Sequence, residues 1–286
     1  MKPPAFSYYR PESVAQALHL LSTVEGAKIL AGGQSLIPMM NMRLARPDAL
    51  VDINHLTELT SIQDVGDALE IGALVRHDEL LRSPLVRRHA PLVAQAERLI
   101  GHPAIRSRGT IGGSLAHADP AAELPVLAVL GDWELIVSSQ TQTRTISAGD
   151  FFLSYFVTTL APEEMLLRIR LPKVSTYGHI AEYAIQAGDF ALTIAATSVD
   201  VGPSGVVREC RIALGGVTDV PWRDKTIERQ AIGQVAQDSL WKAISHTVAE
   251  AIDPIDDLHA TSAYRRQLAE ALLREALHRA AQPKPA

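Results

Sequence analysis

The apolar pattern changes its texture near residue 172, and that change limits the folds open to the chain. Up to "EEMLLRIRLP" short strand-like and helix-like stretches alternate. Phe6 to Tyr9 reads as a strand, and "PESVAQALHLL" then sets Val14, Ala17, Leu18 and Leu21 on one helical face. "AKIL" and "ALVDI" read as buried strands, and "LTSIQ" and "ALEIGA" as a hairpin turning at Asp64-Val65-Gly66-Asp67. Helices are expected over residues 78–82, 84–99 and 120–130, with "WELIVSS" and "TRTIS" as strands after them. Beyond residue 172, "HIAEYAI", "ALTIAATSVDV" and "VVRECRIALGGV" read as three strands of one meander, turning near Gly188 and at residues 202–205. Two long helices follow, near residues 235–252 and 262–281. A chain of 286 residues exceeds the usual size of one core, so two domains are expected to meet in "PKVSTY", residues 172–177, with a disordered "QPKPA" tail.

Composition narrows the chemistry. The net charge of −5 carries no basic stripe, which argues against nucleic acid as the main partner. Cys210 is the single cysteine, so neither an internal disulfide framework nor a cysteine-ligated zinc or iron–sulfur centre is built from this chain alone. No run of about eighteen apolar residues suggests a transmembrane segment, and the first residues lack a signal or transit pattern, so a cytoplasmic location is expected.

Two glycine pairs interrupt the apolar pattern: "LAGGQSLIP" at residues 30–38 and "RGTIGGSLAHADPAAELP" at residues 108–125. Each pair has a serine within the two residues after it. Glycine lets main chain approach a ligand closely, and successive N–H groups at a loop or helix start form a concave anion site, which suits a diphosphate. Either pair alone also reads as a tight turn. Neither G-x-G-x-x-G nor a G-K-[ST] loop occurs, which argues against a Rossmann site or a P-loop.

"LAGGQSLIPMMNMRLARPDALVDIN", "IRSRGTIGGSLAHADPAAELP" and "AGDFAL", in this order and spacing, resemble the FAD-binding medium subunit of the molybdenum hydroxylases, the family of xanthine dehydrogenase and aerobic carbon monoxide dehydrogenase. The resemblance spans nearly the whole chain. It implies an α+β fold: an FAD-binding domain of the vanillyl-alcohol-oxidase type over residues 1–174, in two subdomains of about 1–56 and 57–174. A smaller domain with a three-stranded antiparallel sheet and helices, of the carbon monoxide dehydrogenase flavoprotein type, would follow over 175–286. It also implies non-covalent FAD held between the subdomains.

Carried over by residue, Ala31, Gly32, Gly33, Gln34, Ser35 and Leu36 match the family's first diphosphate loop, and Thr110, Gly112, Gly113 and Ser114 the second. Their N–H groups would bind the diphosphate, with the Ser35 and Thr110 hydroxyls as further donors. Ile100, Gly101 and Ile105 would line the adenine and ribityl portion, and Ala73 and Leu166 would add apolar contacts. Glu123 would accept from a sugar hydroxyl, or serve as a first-turn carboxylate on its helix, which Asp119 would cap. His117 is either a cofactor donor or a packing residue. Asp189 and Phe190 would lie beside the isoalloxazine, although Phe190 also reads as a strand core residue. Met39, Met40 and Met42 read as core packing. At Gln186 the chain departs from the Arg or Lys frequent in the family, which puts in doubt charge stabilisation of a reduced anionic flavin from that position.

The family's partners are a small subunit with two 2Fe–2S clusters and a large subunit with a molybdenum–pterin cofactor, arranged as a dimer of heterotrimers. The chain would then relay electrons to NAD, a quinone, another carrier or oxygen. The alternative is a self-sufficient flavin oxidase or reductase with its own small substrate, and a nucleotide-binding scaffold stands as a third reading. Gln34 occupies the position where a self-sufficient oxidase could carry a histidine tether.

Overall fold

Three sheets and a two-stranded ribbon, Phe152–Ser154 with Val157–Thr158, carry the described residues, and the glycine loops touch between the first two sheets. The computed structural model describes residues 1–173 and 178–282, so most of the expected linker and the last four residues of the expected disordered tail lie outside the described residues. The first sheet is parallel, in the order Ser7–Tyr9, Ala49–Asp52, Ala27–Leu30. Its middle strand is buried throughout, as a parallel strand covered on both faces should be. Helix Val14–Thr23 covers it with Ala17, Leu18 and Leu21 and is capped by the Ser13 hydroxyl.

The second sheet is antiparallel, in the order Ile62–Asp64, Ala68–Gly72, Met165–Pro172, Glu134–Ser138, Thr143–Ser147. Short helices cover it. The helix expected over residues 84–99 is in fact two, Pro84–His89 and Pro91–Ala96. Pro91 has no N–H to donate to the preceding turn, and its ring drives Ala90 out of the helical region to φ −140°. The helix expected from Pro120 starts at Glu123. Asp119 does not cap it: its carboxylate accepts from the Ala121 N–H at 2.9 Å and closes a turn instead. Met40 is fully buried as expected, but Met42 is 54% exposed.

The third sheet is antiparallel, Gly178–Tyr183, Thr193–Val201, Val207–Gly215. Helices Lys225–Ala231, Asp238–Ala251 and Ser262–Ala280 pack on it around the fully buried Trp241. Helix Glu123–Leu130 packs on the same sheet, and all eight of its residues are buried. That double coverage explains why seven successive residues of Thr193–Val201 are buried. Ions fix the arrangement: Asp132, just after that helix, accepts from Arg211 and Arg223 at 2.9 Å each. Arg223 also donates to the Val129 and Leu130 carbonyls, capping the helix end. Among the described residues no helix is long and apolar enough to cross a membrane, and no cluster of three or more His, Cys, Asp or Glu is arranged to hold a metal.

Candidate functional site

The first loop leaves the carboxyl end of the parallel strand Ala27–Leu30, the end at which open α/β sheets present ligand sites. Gly33 turns the chain with φ +72°, a conformation that L side chains resist. The chain then enters helix Leu36–Asn41, with Ser35 at its start and its hydroxyl not engaged in capping. Among the described residues no acceptor takes the N–H groups of Gly32, Gly33, Gln34 or Ser35. Four successive amides without partners in a half-buried turn form a concave donor surface, costly unless an anion or water satisfies it. Gln34 Nε2 braces the turn by donating to the Gly32 carbonyl at 3.1 Å.

The second loop differs from expectation. Thr110 is extended and caps helix Ile111–His117, accepting the Gly113 N–H on its hydroxyl at 3.0 Å. Ile111 and Gly112 donate to the Val75 and Ala73 carbonyls at 3.1 and 3.0 Å, and Ser114 to the Thr110 carbonyl at 2.9 Å. The amides expected to bind a diphosphate here are therefore already engaged, because the loop is stitched to the second sheet and capped on itself. What Thr110 and Ser114 retain for an anion is their hydroxyl protons.

The glycines divide the work. A Cβ on Gly32 would stand 2.5 Å from the Arg108 carbonyl oxygen and 2.7 Å from the Gly109 Cα, so the two loops touch there. A Cβ on Gly112 would stand 2.5 Å from the Ala73 Cβ, beneath the second loop. At Gly113 only the Thr110 hydroxyl and, at 4.0 Å, the Ala31 Cβ lie near, so this face adjoins the first loop with little over it. Free amides on the first loop, and hydroxyls with a lightly covered glycine on the adjoining second loop, make a cradle of donors whose chemistry suits an anion such as a diphosphate.

The remaining candidates differ in what they leave exposed. Ala73 and Leu166 are each 4% exposed, and Leu166 is built into the core around Val137, so both offer only a small apolar rim. Gly101 has φ +45° and packs against Ile105, while Arg106 donates to the Ile100 and Gly101 carbonyls at 2.9 and 2.8 Å. The third block joins them, since a Cβ on Gly188 would be 2.7 Å from the His102 ring. Phe190 is 60% exposed in the loop before strand Thr193–Val201, which overturns its reading as a strand core residue. Asp189 lies in the same turn, its N–H donating to the Gln186 carbonyl. His117 is half-buried against Phe156, ring centroids 5.0 Å apart, and burial lowers its pKa.

Glu123 is nine-tenths buried at the first turn of its helix, and burial followed by the Glu182 charge pushes its carboxyl up to about 8. Glu182, on the third sheet, is itself pushed up to about 7 by burial. The residue pattern alone signals neither this proximity nor the buried His77–Glu97 contact at 3.1 Å beneath Gly109. It also missed Arg76, Asn54, Asp52 and Tyr8, which form a hydrogen-bonded chain behind the loops. Only "DIN" after an apolar strand could have flagged Asp52 and Asn54.

Residues 4–174 match the family described as FAD binding domain in molybdopterin dehydrogenase, and residues 179–280 match the CO dehydrogenase flavoprotein C-terminal domain. The chain is 36% identical to the glyceraldehyde dehydrogenase medium chain of Sulfolobus acidocaldarius, over 96% of this chain and 98% of that one. It is 34% identical to the carbon monoxide dehydrogenase medium chain of Hydrogenophaga pseudoflava, over 98% of each. Its fold superposes on a chain of quinoline 2-oxidoreductase from Pseudomonas putida with a TM-score of 0.96 at 34% identity, covering 99% of both. With both family matches spanning nearly its whole length, the chain belongs to the FAD-binding medium subunits of the molybdopterin-dependent dehydrogenases.

Proposed function

We propose that this chain holds FAD non-covalently across the two glycine loops and serves as the electron-transfer subunit of a cytoplasmic molybdenum hydroxylase. The observation that carries the assignment is the run of four amides, Gly32 to Ser35, without acceptors among the described residues, on a loop that touches the second glycine loop at Arg108 and Gly109. In this reading those amides and the Ser35, Thr110 and Ser114 hydroxyls hold the diphosphate. Leu36 completes the first diphosphate loop, Ile100, Gly101 and Ile105 line the adenine and ribityl portion, and Ala73 and Leu166 form its apolar rim. Glu123 accepts from a sugar hydroxyl. Asp189 and the exposed Phe190 border the isoalloxazine, where Phe190 restricts access, and His117 flanks the same end.

When bound, FAD accepts electrons singly and releases them as a pair. Cys210 is buried, and one cysteine cannot anchor an iron–sulfur relay, so electrons must enter from another chain. The partners would be a 2Fe–2S small subunit and a molybdenum–pterin large subunit, in a dimer of heterotrimers, with NAD, a quinone or another carrier as acceptor. The domain division is 1–174 and 175–286. The separate parallel and antiparallel sheets, with one glycine loop from each, support two subdomains of about 1–56 and 57–174 and a vanillyl-alcohol-oxidase type of FAD domain.

The test is purification of the chain from its native source. It should arrive yellow with two further polypeptides, iron and molybdenum, and heat or acid should release intact FAD. A flavin that stays on the polypeptide through denaturing electrophoresis would refute non-covalent binding. Substrate turnover by the purified chain with FAD alone would refute the subunit assignment and favour a self-sufficient oxidase.

A further inference from the structure

Behind the cradle, one side chain reaches both loops. Arg76 lies at the start of helix His77–Arg82 and pairs with Thr110 through an antiparallel bridge. Its Nη1 donates to the Arg108 carbonyl, which immediately precedes the second loop, and its Nη2 donates to Asn54 Oδ1 at 2.7 Å. Asn54 Nδ2 in turn donates to the Ala31 carbonyl of the first loop at 2.8 Å and to Asp52 Oδ1 at 2.6 Å. Asp52 is held from its other oxygen by the Tyr8 hydroxyl at 2.5 Å. The guanidinium fork therefore holds the flank of the second loop directly and the first loop through the buttressed Asn54 amide.

The charges point the same way. Among the described residues neither Arg76 nor Arg108 forms an ion pair, and no hydrogen bond engages the exposed Arg108 side chain. The two guanidiniums are close enough to repel: burial lowers the Arg76 pKa most and the Arg108 charge lowers it further, while the Glu79 and Asp52 carboxylates offset only part of this. Like charges set together and only partly offset by neighbouring carboxylates are stabilised further by an anion bound beside them. The cradle of free amides is the adjacent place for one.

We propose that Arg76 is the positioning residue of the cofactor site, tying the two glycine loops together through Asn54 and the Arg108 carbonyl, and that Arg76 and Arg108 jointly supply positive charge to a diphosphate bound there. This rests on the reading above that the loops hold the FAD diphosphate. Asn54 sets the spacing from the first loop, and Arg108 acts through charge alone.

The experiment titrates FAD into the full-length chain stripped of flavin, at low and high salt, for the parent, Arg76→Gln, Arg76→Lys and Arg108→Gln. Arg76→Gln should weaken FAD binding by roughly tenfold or more, the loss of charge-assisted contacts. Arg76→Lys keeps the charge but not the fork, so it should restore the salt dependence without restoring full affinity. Arg108→Gln should weaken binding less and flatten its salt dependence, because an exposed charge is screened by salt. Affinity and salt slope equal to the parent in both glutamine variants would overturn the proposal. If Arg76→Gln does not fold, Arg108→Gln decides alone, and a parental salt slope overturns the charge assignment and the proposal with it. A parent chain that takes up no FAD would instead overturn the underlying site reading, a result the variants cannot imitate.

Discussion

Gly32→Ala tests the cradle most sharply. Gly32 does not occupy the left-handed region, so alanine brings no backbone strain of that kind, and only the contact changes. The new methyl carbon would stand 2.5 Å from the Arg108 carbonyl oxygen and 2.7 Å from the Gly109 Cα, both main-chain atoms that no rotamer change can move. Ordinary non-bonded separation is about 3.5 Å, so the loops must part by about 1 Å. That shift carries the free amides of residues 32–35 away from the Thr110 and Ser114 hydroxyls. Losing one or two hydrogen bonds to an anion, at about 1.5–3 kcal/mol each, raises the Kd for FAD on the order of a hundredfold. Flavin fluorescence quenching on the stripped chain measures the Kd, and a thermal melt without flavin checks that the chain still folds. Gly149→Ala is the control, since its Cβ would meet only the Ser147 hydroxyl at 3.7 Å, and it should bind FAD as the parent does. A folded Gly32→Ala chain with parental FAD affinity would mean that the contact between the loops has no bearing on the cofactor.

Two further outcomes follow from the site. Burial and the Glu182 charge push Glu123 up to about 8, so the folded chain keeps this proton to a higher pH than the unfolded chain, and the folded state loses stability as pH rises from the ordinary carboxyl range through 8. Glu123→Gln should therefore be nearly neutral at pH 4 and stabilise the flavin-free chain by roughly 3–5 kcal/mol at pH 8; equal melting shifts at both pH values would refute this. Phe190→Ala should change the rate of flavin reoxidation by acceptor or oxygen in the assembled complex more than it changes FAD affinity, because the side chain is exposed rather than packed; stopped-flow rates equal to the parent would remove the gating role.

Much of the fold was legible because its signals are local. "AKIL" and "ALVDI" are apolar runs, and they form Ala27–Leu30 and Ala49–Asp52. The change of texture at residue 172 precedes the long strands Thr193–Val201 and Val207–Gly215. Pro91 was legible too, had its effect on Ala90 been weighed against the apolar period. The short helices Leu36–Asn41 and Lys225–Ala231 were not, since one contains Pro38 and both are too brief to show a period.

By itself the sequence determined the family, through glycine pairs whose residue types are required wherever main chain meets main chain or ligand. It also determined that no metal cluster anchored by several cysteines belongs to this chain. Tertiary structure alone decided which amides remain free. The Ile111 and Gly112 N–H groups look as available as those of Gly32 and Gly33 until Val75 and Ala73 are brought beside them by the second sheet. The same holds for Arg76 and Asn54, which share a hydrogen bond only because the fold brings the start of helix His77–Arg82 beside the end of strand Ala49–Asp52. A hydrogen-bond donor's fate is set by whichever acceptor the fold carries to it, and side-chain type in one dimension holds no record of that neighbour.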